Sequence, residues 1–131
     1  MSTQLAKAAL DPGIVSAKPE QLVAFYQNVF ELKPLEPLEI PGVGTIHKLA
    51  AGESVLRIMR PTEMPASDER AWSAVAGLRY LTLEVVDITA AAAAVVENGG
   101  TIVLPPFELR PGRHVCQASD PDGNMLEIGQ G

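Results

Sequence analysis

The sequence predicts an α+β fold of two strand-helix-strand-strand-strand (βαβββ) modules, whose mostly antiparallel, curved sheets form a cup with the helices packed on its outer face. Three observations predict it: two helical patterns in similar surroundings, strand candidates around each of them, and a strong turn signal near the C-terminus. The halves also keep a near-constant offset, Tyr80 following Asp11 by 69 residues and Glu127 following Arg57 by 70. Identity between the halves is poor, so what repeats is the order of elements.

Gly13 to Ala17 is the first strand candidate. Leu22, Phe25, Tyr26 and Val29 then fall at i, i+3, i+4 and i+7, and Pro19 suits a first helical turn, so a helix runs to about Lys33-Pro34. Thr45 to Leu49 and Ser54 to Arg60 flank Ala50-Ala51-Gly52-Glu53 and read as a hairpin. Pro61 to Pro65 is a loop, and Asp68 to Ala76 reads as a short connecting helix around Trp72.

The order then recurs. Arg79 to Val86 is a strand candidate, Asp87 an N-cap, and Ile88, Ala91, Ala92 and Val95 carry a second helix that Gly99-Gly100 ends. Thr101 to Leu104 is a strand and Pro105 to Gly112 a loop. Arg113 to Ser119 and Met125 to Ile128 flank Asp120-Pro121-Asp122-Gly123-Asn124, where Pro presets φ and Gly supplies a left-handed residue. One domain, 1–131, thus divides into a first module at 11–60, a connecting segment at 61–76 and a second module at 77–131.

Composition excludes several classes. The 131 residues are 47% hydrophobic and 20% charged, a globular balance, and a globule of this mass exposes roughly 6,700 Å². One cysteine leaves no disulfide framework and no cysteine-cluster zinc site. A net charge of −6 argues against a nucleic-acid partner, whose phosphates call for cations. No apolar run suits a membrane span or a signal peptide, so the expectation is a cytoplasmic protein with no membrane partner.

Three features together resemble the vicinal oxygen chelate superfamily of glyoxalase I, bleomycin-resistance proteins, fosfomycin-thiol transferases, methylmalonyl-CoA epimerases and extradiol dioxygenases. They are Leu22-Val23-Ala24-Phe25-Tyr26 with Val29-Phe30, the opening Gly77-Leu78-Arg79-Tyr80, and Asp120-Pro121-Asp122-Gly123-Asn124 before Leu126-Glu127. The resemblance spans about Asp11 to Ile128. It implies a divalent metal held by His or Glu from the first and last strand of each module. Those four positions here are Asp11, Arg57, Tyr80 and Glu127, of which Glu127 alone is conventional. Arg57 is permanently cationic, and neutral Tyr80 is a poor ligand.

If the four converge on one cavity, the Arg57 guanidinium takes the place of the metal, with Asp11 and Glu127 as ion-pair partners. The alternative is that the cluster only satisfies charges in a polar cleft. Strand parity places Val55 and Met59 beside Arg57, Thr82 and Glu84 beside Tyr80, and Met125 beside Glu127. A five-residue loop pairs Ser119 with Met125 and Gln117 with Glu127, which puts Arg113, Val115 and Gln117 in the cavity. By resemblance to fosfomycin-thiol transferases, Gln117 contacts ligand. His47 is a further candidate for proton transfer, and Cys116 reads as a small buried group.

Three functions stay open. The first is a bleomycin-resistance-like protein that binds a small organic molecule with no metal and no cofactor, the ligand set being Asp11, Arg57, Tyr80, Glu84, Gln117, His47, Met59 and Arg113. The second is a metal-free lyase or isomerase acting next to a carbonyl, with Glu127, Arg57 and Tyr80 catalytic. The third is a metalloenzyme with rearranged ligands drawn from Asp11, Glu127 and His47 or Glu84. By resemblance, the partner is a second copy in a homodimer.

Overall fold

The computed structural model describes residues 1–131. β1 (Gly13–Val15), α1 (Pro19–Phe30), β2 (Lys33–Ile40), β3 (Gly44–Ala51) and β4 (Ser54–Pro61) form the first half. After a single 3₁₀ turn at Trp72–Ala74 come β5 (Tyr80–Glu84), α2 (Ile88–Glu97), β6 (Thr101–Arg110), β7 (Arg113–Ser119) and β8 (Met125–Gln130). The strands form two four-stranded mixed sheets of identical topology, ordered β1-β4-β3-β2 and β5-β8-β7-β6, with β1–β4 and β5–β8 parallel. The fold is the expected open, curved α+β arrangement of two βαβββ units.

Local chemistry accounts for the helices. Pro19 occupies the first turn of α1, and Glu31, left-handed at φ 58°, closes it. At α2 the Asp87 carboxylate accepts the Ala90 N–H at 3.1 Å, supplying one of the partners a helix start lacks. Leu22, Phe25 and Tyr26 from α1 and Ile88, Ala91 and Val95 from α2 enter one core with Leu49, Leu56, Ile58, Cys116, Ala118, Leu126 and Ile128.

Several boundaries differ from the sequence reading. Residues 33–40, unassigned after α1, are β2, and the strand at Thr101 runs on to Arg110 through the expected loop. Both are outer strands, and the ladder shifts register between Leu35 and Leu38 and between Leu104 and Phe107. Those shifts fall at Pro37 and at Pro105-Pro106, where a missing N–H is tolerated because an outer strand has only one neighbour. The connecting helix shrinks to the 3₁₀ turn, and Gly52-Glu53 alone joins β3 to β4.

The two units meet through their helices. α1 packs on β2, β3 and β4, α2 packs on β6, β7 and β8, and the helices touch each other. The Tyr26 hydroxyl donates to Asp120 Oδ2 at 2.7 Å, and Asn28 donates to Asn98 at 3.1 Å. Asp120 also accepts the N–H groups of Asp122 and Asn124 and the Asn124 amide, so one buried carboxylate both shapes its turn and holds α1. Gly100 is needed at this junction, since a Cβ there would overlap the Ser119 carbonyl, Val95 and Phe25. Both helix layers share one core.

Candidate functional site

Strand pairing sets which side chains share each open face. In the second sheet, Ser119, Met125 and Tyr80 form one row across β7, β8 and β5. The next row is Gln117, Glu127 and Thr82, and the third is Val115, Gly129 and Glu84. The pairings of Ser119 with Met125 and of Gln117 with Glu127 are those the five-residue turn predicts. Cys116 and Ala118 lie on the other side, fully buried, and burial pushes the Cys116 thiol up, which makes it unreactive.

Trp72 lies edge-on to Tyr80 with ring centroids 5.7 Å apart. Together with Gln117, Met125, Leu126 and Glu127 they line a cavity of about 100 Å³. Glu127 accepts one long hydrogen bond, from Thr82 Oγ1 at 3.5 Å, and has no cation within 4.0 Å. Arg113 reaches across Gly129 and donates to Glu84 at 2.7 Å. A Cβ at 129 would overlap the ends of both side chains. This contact lowers the Glu84 carboxyl and raises Arg113.

In the first sheet the row matching Gln117, Glu127 and Thr82 is Lys48, Arg57 and Gly13 across β3, β4 and β1. Ile46, Met59 and Val15 form the next. Asp11 sits just before β1, where its Oδ2 accepts from Lys7 at 2.6 Å and from Arg57 at 3.1 Å and its Oδ1 accepts the Val55 N–H at 2.8 Å. Lys7, the Val55 N–H and Arg57 together hold the Asp11 carboxyl well below the usual carboxylate range.

Two placements differ from expectation. His47 pairs with Ile58 and shares the helix-facing side of β3 with fully buried Leu49, so it does not face the open side. Asp11 and Arg57 meet, but no hydrogen bond or ion pair joins them to Tyr80 or Glu127, and the sheets share no strand pairing. Lys48 was missed, although the sequence held the signal: any even-length turn between β3 and β4 puts His47 on the core side and Lys48 on the open one.

These residues do not suit a divalent ion. The Asp11 oxygens are already used by two cations and an N–H, and no three His, Cys, Asp or Glu side chains gather within reach of one ion. A larger groove of about 490 Å³ lies at the β2-β3 turn and the end of β4, lined by Glu39, Thr45, Arg60 and Thr62 among others. It lies apart from both rows. No helix is long and apolar enough to cross a membrane.

Comparison with known proteins agrees with this geometry. Residues 9–128 match the family model described as the Glyoxalase/Bleomycin resistance protein/Dioxygenase superfamily. A glyoxalase family protein from Bacillus cereus superposes with a TM-score of 0.86 at 15% identity, covering 98% of this chain and 95% of its own. Glyoxalase I from Zea mays, as a V278E mutant, gives 0.78 at 20% identity over 95% of this chain and 44% of its own. A glyoxalase/bleomycin resistance protein/dioxygenase family enzyme from Burkholderia phytofirmans gives 0.68 at 19% identity, covering 92% and 95%. No curated protein sequence matches the chain.

Proposed function

Because the chain belongs to the glyoxalase/bleomycin resistance protein/dioxygenase superfamily, we propose that it binds a small organic molecule on its open sheet faces without a resident metal, Arg57 supplying the positive charge. The observation that carries this reading is the Asp11–Arg57 pair at 3.1 Å. It supports the reading because Arg57 is a permanent cation at a position where the family resemblance implies a metal ligand, and because the pair engages the Asp11 carboxylate. Gln117, Tyr80, Met59, Glu84 and Arg113 complete the contact surface, and no cofactor is required.

A second copy closes the site in this reading. The chain exposes 8601 Å², against roughly 6,700 Å² expected for a compact chain of its mass. Tyr80 is 54% exposed and Leu78 96%. A homodimer that sets the first sheet of each copy against the second sheet of the other covers that surplus and brings Arg57 to face Glu127 across the interface.

A second reading, a metal-free lyase or isomerase acting next to a carbonyl, is favoured by the unpaired Glu127 carboxylate. It would accept a proton from the carbon beside the carbonyl, while Tyr80 and the partner copy's guanidinium donate to the developing enolate oxygen.

Elemental mass spectrometry of protein purified without chelator tests the first reading. Background metal is expected, with thermal-shift ligands that lose their effect in R57A. Stoichiometric Zn, Ni, Mn or Fe surviving dialysis would overturn it. Turnover of a bound ligand in the presence of chelator would select the second reading.

A further inference from the structure

The geometry points to a two-cation anchor, Lys48 with Arg57, that binds the carboxylate or phosphate group of a ligand with an apolar body; this rests on the reading that ligand occupies the open face of the first sheet. Lys48 and Arg57 are direct cross-strand partners. They share a face, because Leu49, Leu56 and Ile58 on the alternate positions are all core. Side chains directly opposite on neighbouring strands lie about 5 Å apart at Cβ, and like charges in that relation destabilise a sheet. Such a pair needs a counter-charge, and the fold provides only part of one. Asp11 is bonded to Arg57 but shares the same oxygen with Lys7 at the shorter distance of 2.6 Å. The Lys48 ammonium has no hydrogen bond and no carboxylate within 4.0 Å.

Lys33, in register with Ala50, lies on the same face, so three of the ten cations of a chain with net charge −6 share it, while Lys7 joins Arg57 at the one carboxylate, Asp11. The long-range field of the protein repels anions, so this local surplus is what would hold one. The two side chains divide the work. The Arg57 fork presents the N–H groups not used by Asp11 in a plane that fits two oxygens, and the Lys48 ammonium is a rotatable point charge. Beside them the face carries apolar Ile46, Val55 and Met59, with Leu35 and Leu38 of β2 in register beside Lys48 and Ile46. That surface suits a hydrocarbon or ring attached to the anion.

The symmetry of the fold supports the assignment. Lys48, Arg57 and Gly13 occupy in the first sheet the row that Gln117, Glu127 and Thr82 occupy in the second. The cationic row thus has an acidic and neutral counterpart. Across the proposed homodimer interface, a ligand bridging the two would be anionic at one end and a hydrogen-bond donor at the other.

The test is a titration of ¹⁵N-labelled full-length protein with phenyl phosphate and with hexanoate at constant ionic strength, with hexanamide as the neutral control. Shifts are expected at 46–50 and 55–59, with K48Q and R57Q each weakening binding about tenfold, K48R restoring it to within a few-fold, and hexanamide leaving the spectrum unchanged. Wild-type affinity in K48Q with weakened binding in R57Q would overturn the two-cation anchor and leave the Arg57-centred function standing. Wild-type affinity in both variants, or shifts confined to other residues, would overturn both. The dispersed spectrum of each variant reports its folding, and failure of K48R to rescue would assign the K48Q loss to packing and overturn the proposal.

Discussion

Replacing Tyr26 by Phe removes one oxygen atom and tests how the two halves are held together. The hydroxyl donates to Asp120 Oδ2 at 2.7 Å, Tyr26 is fully buried, and Asp120 is 2% exposed. Without it, Oδ2 retains the Asn124 amide at 2.9 Å, while Oδ1 keeps its three donors. A hydrogen bond to a charged group contributes about 1.5–3 kcal/mol, and the stripped carboxylate has no access to water. We therefore expect a loss of about 2 kcal/mol. For 131 residues at about 2.1 cal/mol/K each, that lowers Tm by about 7 °C, and with an m-value near 2 kcal/mol/M it lowers the urea midpoint by about 1 M. The loss also depends on pH. Burial lifts the Asp120 carboxyl and the Tyr26 hydroxyl pulls it down, so the variant's folded-state value rises further while the unfolded value stays near 3.9. The folded variant then takes up a proton at higher pH than wild type. The loss is full at neutral pH and shrinks as pH falls through that raised value. Paired urea titrations at pH 7 and 4.5, at one protein concentration, measure both effects. A loss below about 0.5 kcal/mol at pH 7, or one identical at the two pH values, would refute the latch.

Other expectations are simpler to check. The Asp11 carboxyl is held low, so its stabilising effect is full above the unfolded value near 3.9 and is lost as pH falls through the lower folded value; the Tm difference between wild type and D11N should stay level from pH 8 to 5 and close only below about pH 4. Gly100→Ala should cost about 1–3 kcal/mol in urea unfolding, because its Cβ meets a backbone carbonyl and two core side chains. Gly129→Ala should cost less, since the flexible ends of Arg113 and Glu84 can swing away. Sedimentation velocity at micromolar concentration should give a dimer, and Tyr80→Asp, on an exposed face position, should shift it toward monomer.

Much of this was legible in the chain. Both helices follow from their 3.6-residue apolar spacing, and the Asp120–Asn124 turn fixes the β7-β8 register because five loop residues leave one pairing with consistent faces. What escaped has identifiable causes. Pro34 and Pro37 read as a break after α1, yet an outer strand with a register shift accommodates them. Pro105-Pro106 hid half of β6 in the same way. Alternation along a strand says which side meets a helix but not what that helix meets next. So the pairing of Asp11 with Arg57 was accessible, whereas the lack of any bond from that pair to Tyr80 or Glu127 depends on how the two sheets are set, which alternation does not carry. His47 invited a functional reading by its chemistry, while its pairing with Ile58 decides its side.

The prolines that obscured β2 and β6 also govern how copies of this chain can assemble. Each of these strands forms one border of its sheet, and at Pro34, Pro37, Pro105 and Pro106 that border offers no N–H. An incoming strand meets fewer donors there, which disfavours edge-to-edge stacking into fibres on that side. The opposite borders, β1 and β5, are three and five residues long, too short to template extended growth. In the proposed homodimer, contact between copies falls to the broad faces, where a twofold arrangement is complete after two chains. A protein built this way can carry wide exposed sheets at high concentration and still favour a closed assembly over an open-ended one.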